Sequence, residues 1–302
     1  MRLQSTGPSS VIVLDEEENL RIRKLLLPPL HGERLQQWAD FVTQKTLDDI
    51  ATWPDGQPFS LRPVAERITM SVISKIVFGV RDPVRAEELR LLLPVLFDIP
   101  VLAAPGYVTM LVAGHETTAT AIAWALERLL RTPRVMDKLL ASLDADDTTY
   151  LDAVIKETMR IRPVVAQIGR VLTEETVIDG WTVPARTMVV LPMTVIHTDP
   201  EIYRDPKEFR PERFLDGNDP GGYAWLPFGG GLRRCPGASL ALLEMRAVLT
   251  TILRNVRLAP DRPEPERPRV RGITIVPSRG GRVVVTKRLT SPRPAEIEAV
   301  AS

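Results

Sequence analysis

Cys235 is the one cysteine of the chain, and it stands in the run Phe228-Gly229-Gly230-Gly231-Leu232-Arg233-Arg234-Cys235-Pro236-Gly237. A lone cysteine is more often a small buried hydrophobe than a ligand. Its neighbours change that weighing. Residues 238–255 have the apolar spacing of a helix, whose first amides and positive dipole end favour a thiolate. Two arginines precede the cysteine, and three glycines let a backbone loop approach something flat and bulky. One cysteine makes neither an internal disulfide nor a Cys-rich zinc module. With no second Cys and no His beside it, such a thiolate suits an axial haem ligand better than zinc or an iron–sulfur cluster.

A second polar group interrupts residues 107–130, a helical pattern that is apolar almost all round and therefore reads as buried. The interruption is Gly114-His115-Glu116-Thr117-Thr118. A glycine inside a helix costs about 1 kcal/mol relative to alanine, which is easier to understand where a ligand approaches closely. Thr117 can instead bond its own i−4 carbonyl and bend the helix. Glu157 and Arg160 form an i,i+3 pair, ordinarily a solvated ion pair worth a few tenths of a kcal/mol. Three other patterns fail. His115-Glu116 lacks the second histidine of HExxH, since Ala119 is in its place; the glycine run has Arg234 where a dinucleotide fingerprint needs glycine; and no glycine precedes a lysine, so there is no P-loop.

The elements that must position these groups are mostly helical. Apolar periodicity marks helices over 16–27, 32–50, 61–80, 83–97, 107–130, 135–143, 150–160 and 238–255. Asp15 is the N-cap candidate for the first, and Pro28-Pro29 ends it. Strands 171–178 and 182–191 alternate around Asp179-Gly180, a tight-turn signal. Residues 197–234 form a long irregular segment, and a strand pair is expected around Ser278-Arg279-Gly280-Gly281. The 302 residues carry 39 Lys plus Arg against 38 Asp plus Glu, so no global field attracts nucleic acid or an acidic membrane. Hydrophobic residues at 44% and charged residues at 25% exclude wholesale disorder. The first twenty residues lack a signal-peptide core, and no apolar run spans a bilayer, so a cytoplasmic protein without a membrane span is expected.

Four motifs in this order resemble the haem-thiolate monooxygenases of the cytochrome P450 superfamily. Residues 228–237 match FxxGxRxCxG at every fixed position, Glu157-Thr158-Met159-Arg160 matches ExxR, Pro211-Glu212-Arg213-Phe214 matches PERF, and Ala113-Gly114-His115-Glu116-Thr117-Thr118 matches the distal-helix signature. The resemblance covers roughly residues 15–288. It implies a mainly α fold with small β-sheets and a haem b cofactor, iron protoporphyrin IX, ligated by Cys235. Phe228 and Gly237 would flank the thiolate. Arg23, Arg170 and Arg233 would bind propionates, a task for which a guanidinium is well shaped; Asn19 departs from the histidine many relatives carry. Glu157, Arg160 and Arg213 would form a buried structural cluster. Glu116 and Thr117 resemble the acid–alcohol pair that delivers protons to iron-bound dioxygen, with Gly114 leaving it room. Val165, Ile168 and Ile273 resemble substrate-pocket positions.

The implied activity is insertion of one atom of O2 into a small apolar organic substrate, with electrons from a ferredoxin- or flavodoxin-type donor. Arg21, Lys24 and Arg234 could form a basic docking face for that donor or be scattered solvated charge. The chain is shorter than the pattern it resembles. Little precedes residue 16, and only residues 98–106 join 83–97 to the next helix. The expectation is therefore one domain over 1–290 with a disordered tail over 291–302. It lacks the N-terminal elements and the helices that roof the pocket, with a seam near 98–106. The alternative function is a haem-binding but catalytically impaired remnant or fragment, and a third is a chain unable to hold haem stably.

Overall fold

The computed structural model describes residues 16–30, 32–78, Glu88, 106–217 and 220–289. Helices form where apolar residues recur every three or four positions. The first three are α1 (Glu16–Leu26), α2 (Glu33–Ile50) and α3 (Leu61–Phe78). Next come α4 (Gly106–Leu130), α5 (Pro133–Asp144) and α6 (Thr149–Ile161), and after a short α7 (Met193–Ile196) the chain reaches α8 (Ala238–Asn255). Pro133 sits in the first turn of α5, where its missing N–H costs nothing. The expected helix over 83–97 and the seam over 98–105 lie outside the described residues, Glu88 excepted; so does the tail beyond residue 290.

α4 is the axis of the core. Ala119, Ile122, Ala123, Trp124, Ala125, Leu126 and Leu129 are each 1% exposed or less, as the all-round apolar pattern requires. α3 packs along it, where the Thr69 hydroxyl donates to the His115 carbonyl at 3.0 Å. A Cβ on Gly114 would come within 3.3 Å of Ile73 of α3. Close approach of two helices thus gives this glycine a packing reason of its own. α8 is buried from Leu243 to Leu253 and lies against α2 and α4.

The strands are short and lie at the margins. β1 (Pro58–Ser60), β9 (Arg282–Arg288) and β6 (Val256–Pro260) form an antiparallel sheet in the order β1-β9-β6. β2 (Gln167–Val171) pairs with β5 (Met188–Pro192), and inside that ladder β3 (Thr176–Ile178) pairs with β4 (Trp181–Val183). Asp179 and Gly180, at φ 48° and 79°, make the expected tight turn. The expected strand 171–178 is broken at 172–175, however, and its outer part pairs separately. A second expectation is corrected. β7 (Pro268–Arg271) and β8 (Thr274–Pro277) form a hairpin, so the strands flanking 278–281 do not pair with each other. Gly280 and Gly281 turn the chain away from β8, and their carbonyls accept from the Arg62 and Leu61 amides at the start of α3.

Candidate haem-thiolate site

The glycine-rich loop enters α8 through a single 3-10 turn, Gly231–Arg233. Gly229 and Gly231 take φ of 71° and 63°, a region open to glycine at little cost. The loop closes where the Cys235 amide donates to the Phe228 carbonyl at 2.8 Å. Phe228 is held by an edge contact with Trp225, 6.0 Å between centroids, and Trp225 meets Phe214 at 6.2 Å. Cys235 is exposed as a residue, unusual for a free cysteine, while its sulfur is tucked against the loop. Desolvation by the surrounding loop raises its pKa, against the Gly237 amide donating to the sulfur and the charges of Arg23 and Arg234. A bound metal ion outweighs that rise, since a coordinating thiol is deprotonated outright.

Arg23 reaches across from α1 and donates to the Arg234 carbonyl at 2.6 Å. Burial lowers its pKa, the Cys235 charge opposes that, and the nearby Arg233 charge adds to it. Arg21, Lys24 and Arg234 are exposed, whereas Asn19 is buried. One thiol beside Arg23 and Arg233 is a donor set that fits haem, an iron with two carboxylate arms. Arg170 is placed differently: it is exposed and donates to the Gly169 carbonyl at 2.9 Å. On β2 it shares a face with Ile168, two residues earlier, and Ile168 Cδ1 would lie 3.5 Å from a Cβ on Gly229. Val165 bridges to Thr274, while Ile273 is 64% exposed at the hairpin turn.

Behind the loop, Glu157, Arg160 and Arg213 meet. Arg160 gives Nε and Nη2 to Glu157 at 2.6 and 2.8 Å. Its remaining hydrogens go to the carbonyls of His197, Pro206 and Glu208, so all five of its donors are used. Arg213 Nε and the Arg210 amide reach Glu157 Oε1 at 3.1 and 2.9 Å. The coil 197–226 is thereby stitched to α6. The Trp225 indole donates to the Lys156 carbonyl, and the Leu226 amide donates to His197 Nε2, both at 3.0 Å.

On α4, the Thr117 hydroxyl donates to the Ala113 carbonyl at 2.7 Å, the i−4 bond expected of a mid-helix threonine. Glu116 Oε1 is buried and accepts no hydrogen bond. Glu116 and Thr117 thus come from α4, whereas Cys235 and Arg23 come from the α8 loop and α1. Sequence reasoning missed four groups. Arg62 and Glu66 on α3 and Arg271 on β7 surround Glu116, and His197 braces the coil. Only the i,i+4 spacing of Arg62 and Glu66 gave a local signal.

Known proteins share this sequence pattern. Residues 106–283 match the family model described as Cytochrome P450. Cytochrome P450 135B1 of Mycobacterium tuberculosis (strain ATCC 25618 / H37Rv) is 34% identical over 353 residues, which cover 92% of this chain and 75% of that protein. Cytochrome P450 137 of the same strain is 33% identical, covering 92% and 73%, and cytochrome P450 138 is 30% identical, covering 93% and 79%. These three names are provisional and state no substrate. The chain belongs to the cytochrome P450 family. Membership implies a haem cofactor and monooxygenase chemistry. No helix among the described residues is long and apolar enough to cross a membrane.

The alignments also locate a shortfall. That with cytochrome P450 135B1 has 353 positions but takes in only 92% of 302 residues, about 278. About 75 of its positions therefore stand opposite a gap in this chain.

Proposed function

We propose that the chain binds haem b through Cys235 and oxidises a small apolar organic substrate with O2 and electrons from a ferredoxin- or flavodoxin-type donor. The observation that carries this reading is Cys235 at the start of α8, an exposed residue with the Gly237 amide on its sulfur and Arg23 alongside. Haem, when bound, supplies the site at which dioxygen is activated and one of its atoms passed to substrate. The protein's own groups do the rest. Cys235 holds the iron as thiolate, and Phe228 keeps water from the sulfur. Arg23, Arg233 and Arg170 take the propionates, and Gly237 and Gly114 border the cofactor space. Thr117 keeps its oxygen lone pairs available to hold a water, and Glu116 relays protons to that water. Val165, Ile168 and Ile273 wall the substrate space. Exposed Arg21, Lys24 and Arg234 suit an acidic electron donor in the cytoplasm.

Haem-loaded protein with a surrogate ferredoxin system tests the reaction. Product formation coupled to electron use is expected, and Thr117→Ala should uncouple the two while haem stays bound. Unchanged coupling removes the proton-delivery role. A second reading, a haem-binding remnant without turnover, is favoured by the gap of about 75 positions. The family match begins at residue 106, which supports placing that gap at the seam over 98–106 within a single domain. Inserting the relatives' intervening helices there should restore turnover if the remnant reading is right.

A further inference from the structure

Glu116 lies in a charge group that none of the four motifs contains. Arg62 and Glu66 are one turn apart on α3 and hydrogen-bond to each other. Arg271 comes from β7, whose hairpin is fastened to α4 by the Trp124 indole donating to the Ile275 carbonyl at 3.0 Å. Arg271 Nη1 is 3.4 Å from Glu116 Oε1 and 3.8 Å from Glu66 Oε1. Arg62 Nη1 is 3.7 Å from the same Glu116 oxygen. The two carboxylate oxygens therefore face the same two guanidinium nitrogens. Being 3.4 and 3.8 Å from one nitrogen, they are at most 7.2 Å apart, a gap that bridging water can span. The two side chains are similarly open, Glu116 at 21% and Glu66 at 26%, but the Glu116 oxygen that faces the arginines, Oε1, is itself buried without a hydrogen bond.

We propose that Glu66 is the solvent-side carboxylate of the distal proton path, taking protons from bulk water and passing them through bridging water to Glu116. This rests on the reading of Glu116 and Thr117 as the proton-delivery pair. Glu66 acts through Glu116 and is a positioning residue in that sense. The transfer moves a proton and no electrons. The Glu66 O–H bond breaks as a bridging water takes the proton, that water gives one to Glu116, and bulk water reloads Glu66. Arg62 and Arg271 hold both carboxylates in place. Burial raises the Glu66 pKa; Arg62 and Arg271 oppose the rise, Glu116 adds to it, and Arg67 opposes it. A carboxyl moved toward neutrality passes protons more readily than one fixed in the ionised form.

Infrared titration of the full chain tests this through the C=O stretch of protonated carboxyls, with or without haem. A band titrating above the ordinary glutamate range should be lost in Glu66→Gln and kept in Glu116→Gln. Its midpoint should fall in Glu116→Gln, where a neighbouring anion is gone, and rise in Arg271→Gln, where a cation is gone. Midpoints unmoved in both variants would show the carboxylates to be uncoupled and overturn the proposal. In turnover, Glu66→Gln should lower the share of electrons reaching product by at least about ten-fold, with partial recovery in Glu66→Asp and an unchanged carbon monoxide spectrum. If wild type lacks that spectrum the haem reading fails, yet the infrared midpoints still decide the coupling. If Thr117→Ala uncouples and Glu66→Gln does not, the role of Glu66 alone fails.

Discussion

Glu157, Arg160 and Arg213 have side chains 0, 0 and 6% exposed and meet at 2.6 to 3.1 Å. Glu116, Glu66, Arg62 and Arg271 are 21, 26, 17 and 57% exposed and, apart from the Arg62–Glu66 bond, approach only to 3.4 to 3.8 Å. The same two residue types thus build opposite devices. A charge without access to water is tolerated only when every donor and acceptor is matched, and full matching leaves no freedom. It fixes the coil that presents the Cys235 loop. Where water reaches the charges, loose contacts cost little, and a carboxylate keeps the capacity to exchange a proton. The matched group braces the coil that leads to the Cys235 loop, and the loose group sits where α3, α4 and β7 meet.

Breaking the buried group gives the largest effect. Arg160→Leu should strip Glu157 of its partner and destabilise the fold by about 3–5 kcal/mol, read by urea unfolding; a loss under about 1 kcal/mol would contradict the picture of a lock. His197 sharpens the same side. Burial, reinforced by the Arg160 charge, lowers its pKa from 6.5 to about 4. The unfolded chain then binds this proton below about 6.5 while the folded protein waits until about 4, so the stability it contributes is present above 6.5 and lost as pH falls from 6.5 to 4. That loss is on the order of 3 kcal/mol, and His197→Gln should flatten the pH–stability slope in that window. An unchanged slope would show that His197 is not held neutral.

Two smaller effects complete the contrast. A Cβ on Gly231 would meet nothing within 4 Å, so Gly231→Ala should cost only the left-handed backbone, about 1 kcal/mol. In the open group, Glu66→Gln should change unfolding free energy by only a few tenths of a kcal/mol, with its effect falling instead on proton transfer. A loss of stability matching that of Arg160→Leu would erase the distinction between the two groups.

What the sequence made legible follows from how far apart the interacting residues are. The Cys235 loop, the Glu157–Arg160 pair and the Glu116-Thr117 step are each contiguous or one turn long, so residue type and spacing expose them. The apolar pattern over 107–130 marked α4 because burial on all sides leaves a local trace. Arg271 gave none: its place beside Glu116 depends on the β7–β8 hairpin docking on α4. The strands around 278–281 were misjudged for the same reason. Their partners, β6 and β7, are chosen by sheet contacts and not by the turn between them. Arg170 lies between the two cases, named by the resemblance alone, with a guanidinium that donates to the Gly169 carbonyl of its own strand.

The central claim is that Cys235 binds haem iron as a thiolate. Purified protein loaded with haem and reduced under carbon monoxide should show the red-shifted Soret band of a thiolate-ligated carbonyl complex, and Cys235→Ser should lose that band while the protein stays folded. A wild-type protein without the band, or a Cys235→Ser protein that keeps it, would contradict the assignment.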